Sequence, residues 1–255
     1  MTEIMLFVAG LVAGTINTLA GGGSFVLFPA LLFAGVPPVI ANASNTYASL
    51  PGYVSGAVGF WSDIVKHRER LVVYSIISII FGYVGAELLL QVSNATFVLV
   101  VPWLLLFAVV LFAFGGRINS FVRARAGDNG RGRHVGAALL FALLAGICVY
   151  GGFFNAGLGV LLLAFLALAG FTDIHAMNGL KLWISSLVAL VGVVRFAMSG
   201  AIDWYHGSIA LVGVTIGGYV AARLAKRIPT GLIRGLVIVY GIGLTGWFFW
   251  QAYGV

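Results

Sequence analysis

Apolar residues run through this chain in eight long segments separated by short polar stretches. They cover roughly 4–34, 42–61, 70–91, 96–114, 136–169, 176–197, 207–225 and 231–251. Six are continuous and close to the ~20 residues that a helix needs to span a bilayer. The first and fifth are interrupted midway. In AGTINTLAGGGSFVLFPALLFA, 13–34, the apolar run halts at Gly21, Gly22, Gly23 and Ser24 and resumes at Phe25. In AGICVYGGFFNAGLGVLLLAFLALA, 145–169, the break falls at Asn155, Ala156, Gly157 and Gly159. An interruption in lipid is costly because freed backbone groups find no water to bond. The pattern predicts an all-α, polytopic transmembrane helical protein, with a broken or re-entrant first segment in each half.

The two halves repeat one another. GYVGAEL at 82–88 recurs as GYVAARL at 218–224, an offset of 218 − 82 = 136, and the turn at Gly35 recurs at Gly170, an offset of 170 − 35 = 135. An internal duplication follows, with a first transmembrane repeat over 1–114, a basic linker over 115–135 and a second repeat over 136–255. The linker, GGRINSFVRARAGDNGRGRH, reads as a flexible loop.

Composition agrees with a membrane protein: 61% of residues are hydrophobic and 8% charged, against about 25% charged in soluble domains. The net charge of +7 raises the question of nucleic acid, but the basic residues sit in short loops between apolar runs. Positive-inside topology accounts for them without a nucleic-acid partner. Of 14 Lys and Arg, three lie at 66–70, five at 117–133 and four at 223–234. If each broken segment returns to the side from which it entered, all three clusters share one face. The halves are then inverted relative to one another, the basic loops are cytoplasmic and the protein is a multi-pass cell inner membrane protein. The N-terminal MTEIMLFVAG carries Glu3 and no basic n-region, unlike a cleaved signal peptide. The single cysteine, Cys148, excludes an internal disulfide and a multi-cysteine metal site.

Paired interrupted helices are where transporters bind their cargo. A helix that restarts in mid-membrane presents unpaired N–H groups and a positive dipole end, which favour anions. Asn17, Gly21, Gly22, Gly23 and Ser24, with Asn155, Gly157 and Gly159, therefore form the first candidate set. Lys181 heads the second. It sits about six residues into an apolar segment, with Asn178 and Ser185 about one turn away on the same helix face. A charge inside a span costs ~2.5–3.5 kcal/mol or more and usually faces a cavity or a partner. At an offset of 135 Thr46 aligns with Lys181, and Asn42, Asn45, Thr46 and Ser49 supply neutral donors suited to reversible binding of an oxyanion. Against these readings stand kinks for packing, a lysine that snorkels to the interface, and ordinary interhelical hydrogen bonds. Arg195 ends a span and either draws anions or anchors the helix. His67, His134, His175 and His206 lie in or near loops, and no GxSxG, HExxH or DxD pattern sits on an apolar helix. The chain does not read as an enzyme, and no metal or cofactor is expected.

In AGTINTLAGGGSFVLFPALLFAGVPP, ANASNTYAS, AGICVYGGFFNAGLG and IHAMNGLKL the chain resembles the sulfite exporter TauE/SafE family of membrane transporters over essentially its whole length. The motif matches at Gly21, Gly22, Gly23 and Pro29, whereas the second half replaces the triple glycine by Asn155-Ala156-Gly157-Leu158-Gly159. The resemblance implies secondary transport, commonly outward, of small sulfur-containing anions such as sulfite, sulfoacetate or related organosulfonates. The expectation is alternating access around a midplane anion site, with the alternative an anion channel in which Lys181 is the selectivity charge. The expected partners are a small anionic substrate and membrane lipid, with a homodimer left open.

Overall fold

Helix α1 (Thr2–Leu19) ends where the first glycine takes a left-handed conformation: Gly21 has φ +82°. Its N–H donates to the carbonyls of Ile16 and Asn17, both at 3.0 Å. Helix α2 (Ser24–Phe33) then starts beside α1 rather than beyond it. A Cβ on Gly23 would meet the Ala13 carbonyl and the Asn17 Cβ, although ten residues of continuous helix would set Ala13 and Gly23 about 15 Å apart. The second half repeats the arrangement with α7 (Arg133–Phe153) and α8 (Leu158–Leu168), joined by a break in which Gly157 has φ +80°. Helices α2 and α8 end alike. Gly35 and Gly170 have φ of +86° and +87°, and Val36 and Phe171 donate back to Leu31 and Leu166 at 3.1 and 3.0 Å. This is the Schellman closure that glycine allows.

The computed structural model describes residues 1–19, 21–126, 133–224 and 230–254, and their regular structure is wholly helical. The remaining helices are α3 (Pro38–Gly59), a short α4 (Trp61–Ile64) with a 3-10 turn at Val65–His67, α5 (Arg68–Gln91), α6 (Asn94–Ala126), α9 (Ile174–Met198), α10 (Trp204–Leu224) and α11 (Thr230–Tyr253). The sequence-based loop over 115–135 needs correction. Helix α6 continues to Ala126 and α7 begins at Arg133, because Arg and Ala between 122 and 126 favour helix over turn. Positions 127–132 lie outside the described residues, as do 225–229.

Side-chain contacts give the helix directions. On α3 and α9, Thr46 neighbours Gly192, Leu182 neighbours Gly56, and Phe60 and Ile64 neighbour Gly179, so the two helices run antiparallel. Trp103 meets Phe249 and Val109 meets Gly241, so α6 and α11 also run antiparallel. By contrast α5 parallels α9, through Ser75–Trp183, Gly82–Val188 and Glu87–Arg195. Helix α1 parallels α10: Gly10 and Gly14 abut the Ala210 and Val214 carbonyls, and Gly213 and Gly217 abut those of Phe7 and Leu11. Helix α5 parallels α7, through Ser78–Cys148 and, one turn on along both, Gly82–Gly152. Small residues are the expected contact surface here, because lipid offers no hydrophobic drive between helices and close backbone packing must replace it.

These directions require each broken pair to return towards the end from which it entered. They also gather the start of α5, the end of α6 with the start of α7, and the end of α10 with the start of α11 at one end of the bundle. Phe28 of α2 sits at the centre of the other contacts, with ring centroids 6.3 Å from Phe97, 5.7 Å from Phe154 and 6.3 Å from Phe248. By length and composition, four helices among the described residues can cross a membrane: 61–91, 94–111, 174–198 and 235–253. The four pieces of the broken pairs are shorter apolar helices.

Candidate functional site

Both breaks abut the middle of α3. Asn45, on α3, donates from Nδ2 to the Ser24 hydroxyl at the start of α2, at 3.2 Å. Two turns further along α3 the Tyr53 hydroxyl donates to Asn155 Oδ1 in the second break at 3.0 Å. Asn17, from the last turns of α1, lies against Gly23 in the first break. Asn42 Nδ2 donates to the Phe153 carbonyl, where α7 ends, at 2.8 Å. One helix thus ties the two interruptions together, and it does so through amides and hydroxyls in an otherwise apolar interior.

The breaks have separate parts. Gly21 and Gly157 supply the left-handed turns, and Gly23 lets α2 start against α1. Gly22 accepts from the Phe25 N–H at 3.1 Å, and the Tyr150 hydroxyl donates to the Ala156 carbonyl at 2.7 Å, bracing the second break. Helices α2 and α8 begin at Gly23 and Gly157 with no side-chain cap. In their first turns the Phe25 and Val26 N–H groups donate to the Gly22 and Gly23 carbonyls at 3.1 and 3.0 Å, and those of Leu158 and Val160 to the Asn155 and Gly157 carbonyls at 3.3 and 3.0 Å. The contrast is α9, whose start is closed by Asp173 through the His175 and Ala176 N–H groups.

Lys181 lies on α9 beside the second break. Its stem passes over Gly159, where an added Cβ would meet Cδ at 3.4 Å. Its Nζ donates to Asn178 Oδ1 at 3.2 Å. Among the described residues no carboxylate lies within ion-pair distance of it. The ammonium is half-buried and bonded to one neutral oxygen, which leaves two of its three donors for other partners. Arg195 differs: it pairs with Glu87 at 2.6 Å across α9 and α5, so its charge is matched and the anion-drawing reading of Arg195 falls away.

The structure therefore brings Asn17, Gly21–Ser24, Asn45, Asn155, Gly157, Gly159, Lys181 and Asn178 around the two breaks. Ser49 and Ser185 are buried on α3 and α9, at 5% and 2% exposure. Thr46 does not serve as a free donor, because its hydroxyl is spent on the Asn42 carbonyl one turn back, at 3.1 Å. Tyr53 and Tyr150 were not among the sequence candidates. A tyrosine far from the membrane interface, two turns after Asn45, is the signal that marks Tyr53.

Three polar atoms in this region are buried without a hydrogen-bond partner: Asn42 Oδ1, Asn45 Oδ1 and Asn155 Nδ2. Buried polar atoms are nearly always paired in folded proteins. All three belong to residues bonded to, or lying in, the two breaks.

Residues 6–248 match a family model described as Sulfite exporter TauE/SafE. The chain is 29% identical to a protein of Haemophilus influenzae named "Probable membrane transporter protein", over 96% of each chain. It is 28% identical to "Probable membrane transporter protein YfcA" of Escherichia coli K12, over 98% of this chain and 90% of that one. A Sinorhizobium protein, "Probable membrane transporter protein ORF9", is 30% identical over 94% of this chain and 89% of its own. No solved structure matches.

Proposed function

The chain belongs to the sulfite exporter TauE/SafE family and is a membrane transporter, and from that premise we propose that it exports small sulfur-containing anions. Sulfite, sulfoacetate and related organosulfonates are the substrate class. They bind between the two interrupted segments, in the cell inner membrane, and are exposed alternately to either side. Lys181 supplies the fixed positive charge. The Gly159 N–H and the Asn155 amide donate to the anion's oxygens, the positive dipole ends of α2 and α8 add to the field, and Asn178 holds the lysine in place.

One observation carries this reading: an unneutralised ammonium beside a helix start with no side-chain cap, with a free amide NH2 on Asn155, three residues earlier in the same break. Each part alone has a structural explanation. Together they form a donor set with a net positive charge and, among the described residues, no carboxylate to match it.

The helix directions support two halves of inverted topology, because equivalent helices that meet face to face, α3 with α9 and α6 with α11, run antiparallel. With the basic clusters at one end, positive-inside topology makes that end cytoplasmic and puts both described chain ends outside. Rocking of one half against the other about the shared site then gives alternating access.

The test is anion binding to purified protein, wild type beside Lys181→Met, with sulfite, sulfoacetate, sulfate, phosphate, a carboxylate and chloride. Counterflow in proteoliposomes reads transport in parallel. The expected result is selective binding of sulfur anions that Lys181→Met weakens by roughly tenfold or more, the worth of a charge-assisted bond. Unchanged binding in the variant would remove Lys181 from the site, and no binding of any anion by wild type would end the anion reading.

A further inference from the structure

The free atoms at the site are of two kinds, and only one suits a bare anion. Lys181 Nζ and Asn155 Nδ2 are donors. Asn42 Oδ1 and Asn45 Oδ1 are acceptors, on residues only 1% exposed, one turn apart on the same face of α3. The orientation of Asn42 follows from chemistry. Its amide faces the Phe153 carbonyl at 2.8 Å, and a carbonyl only accepts, so the NH2 must point there and the oxygen must point away. Asn45 Nδ2 bonds the Ser24 hydroxyl at 3.2 Å, a group that both donates and accepts, so the acceptor whose orientation chemistry fixes is Asn42 Oδ1. Asn42 sits beside the second break, because Phe153 is two residues before Asn155, and Asn45 sits beside the first, through Ser24.

A ligand made solely of acceptor oxygens, such as sulfate, would satisfy the lysine and Asn155 but set its lone pairs against those two carbonyl oxygens. Burial of an acceptor without a donor is the costly half of hydrogen bonding. A site that carries both kinds of atom selects ligands that carry both.

We infer that the anion this transporter takes bears a hydrogen-bond donor of its own, and that Asn42 Oδ1 and Asn45 Oδ1 receive it. The class is a small monoanion with one O–H, either on the anionic head, as in hydrogen sulfite, or on the carbon chain, as in a hydroxyalkanesulfonate. The inference rests on the anion-site reading above and narrows it. It also bears on coupling: where the donor sits on the head, each anion carries a proton through the protein with no titrating side chain needed.

The experiment compares monoanions matched in charge and size but not in donor, in purified full-length protein and sodium-free buffer. The first pair is 2-hydroxyethanesulfonate against ethanesulfonate, and the second is hydrogen sulfite against methanesulfonate. The expected result is a preference of about tenfold or more for the donor-bearing member of at least one pair. A preference in the first pair puts the donor on the chain, and in the second on the head. Asn42→Leu and Asn45→Leu should abolish it, and the wild-type comparison stands if either variant does not fold. Equal binding within both pairs would overturn the inference while leaving the anion site intact. A sodium requirement for binding without any donor preference would assign the two oxygens to the cation and overturn it too. If neither member of either pair binds, the anion-site reading itself fails and takes the inference with it.

Discussion

Removing one oxygen atom tests whether the link from α3 to the second break serves binding or only folding. Tyr53→Phe keeps the ring, which is 8% exposed, and deletes the hydroxyl that donates to Asn155 Oδ1 at 3.0 Å. Asn155 is 2% exposed and its Nδ2 has no partner of its own, so the tyrosine bond is what holds the amide in one rotamer. Its loss leaves a buried acceptor orphaned, at about 1–3 kcal/mol. Where that amide must be poised for the anion, the same energy appears as a loss of roughly 5- to 150-fold in affinity. Calorimetric titration of the preferred sulfur anion into wild type, Tyr53→Phe, Asn155→Ala and the double variant reads it. The expected outcome is that each single variant weakens binding and the double variant weakens it little further, since Tyr53 acts through Asn155. Wild-type affinity in Tyr53→Phe, or losses that simply add, would refute the argument and make the bond a brace for the fold.

Gly21→Ala forces a left-handed conformation on a residue with a Cβ, at about 1–2 kcal/mol, and should lower the melting temperature in detergent while leaving open space around the new methyl. Gly23→Ala should do greater harm, because its Cβ meets the Ala13 backbone; loss of monodisperse protein on size exclusion would report it. Glu87→Gln breaks the ion pair with Arg195 outside the anion site and should reduce thermal stability without changing sulfur-anion affinity, checked by melting and titration of the same sample. Asp173 holds its carboxyl below the usual aspartate range, first through the His175 N–H and then that of Ala176, against desolvation. A depressed folded-state pKa contributes stability above the unfolded value, lost as pH falls through the folded one. Melting temperature should therefore drop on acidification below the usual aspartate range, and Asp173→Asn should flatten that limb.

Much of the fold was legible because lipid enforces long apolar runs, and segment positions follow from them. The paired Gly35 and Gly170 turns were readable because only glycine suits the left-handed closure both use. Lys181 stood out because a charge in an apolar helix is rare. What escaped was partnership across elements. Nothing in local spacing links Tyr53 to Asn155, 102 positions away, or tells that Thr46 spends its hydroxyl on its own helix. Arg195 looked free because Glu87 is 108 residues distant in sequence. The 115–126 stretch was misread because glycines and charges suggest a loop, while a long helix already under way carries a few such residues at little cost.

The two parallel glycine contacts exchange partners between halves, and that governs how the protein is made. The glycine face of helix α1 meets its partner on α10, as Thr15 and Gly217 show, bonded across a separation of 202 residues. A ribosome adding about 5–20 residues per second leaves that glycine face waiting roughly 10–40 s for its mate. The first half cannot be a finished intermediate during synthesis. Its hairpin must be tolerated in the bilayer or sheltered by the insertion machinery until the penultimate helix emerges. Chains cut between the halves should then mature only when both pieces are produced together.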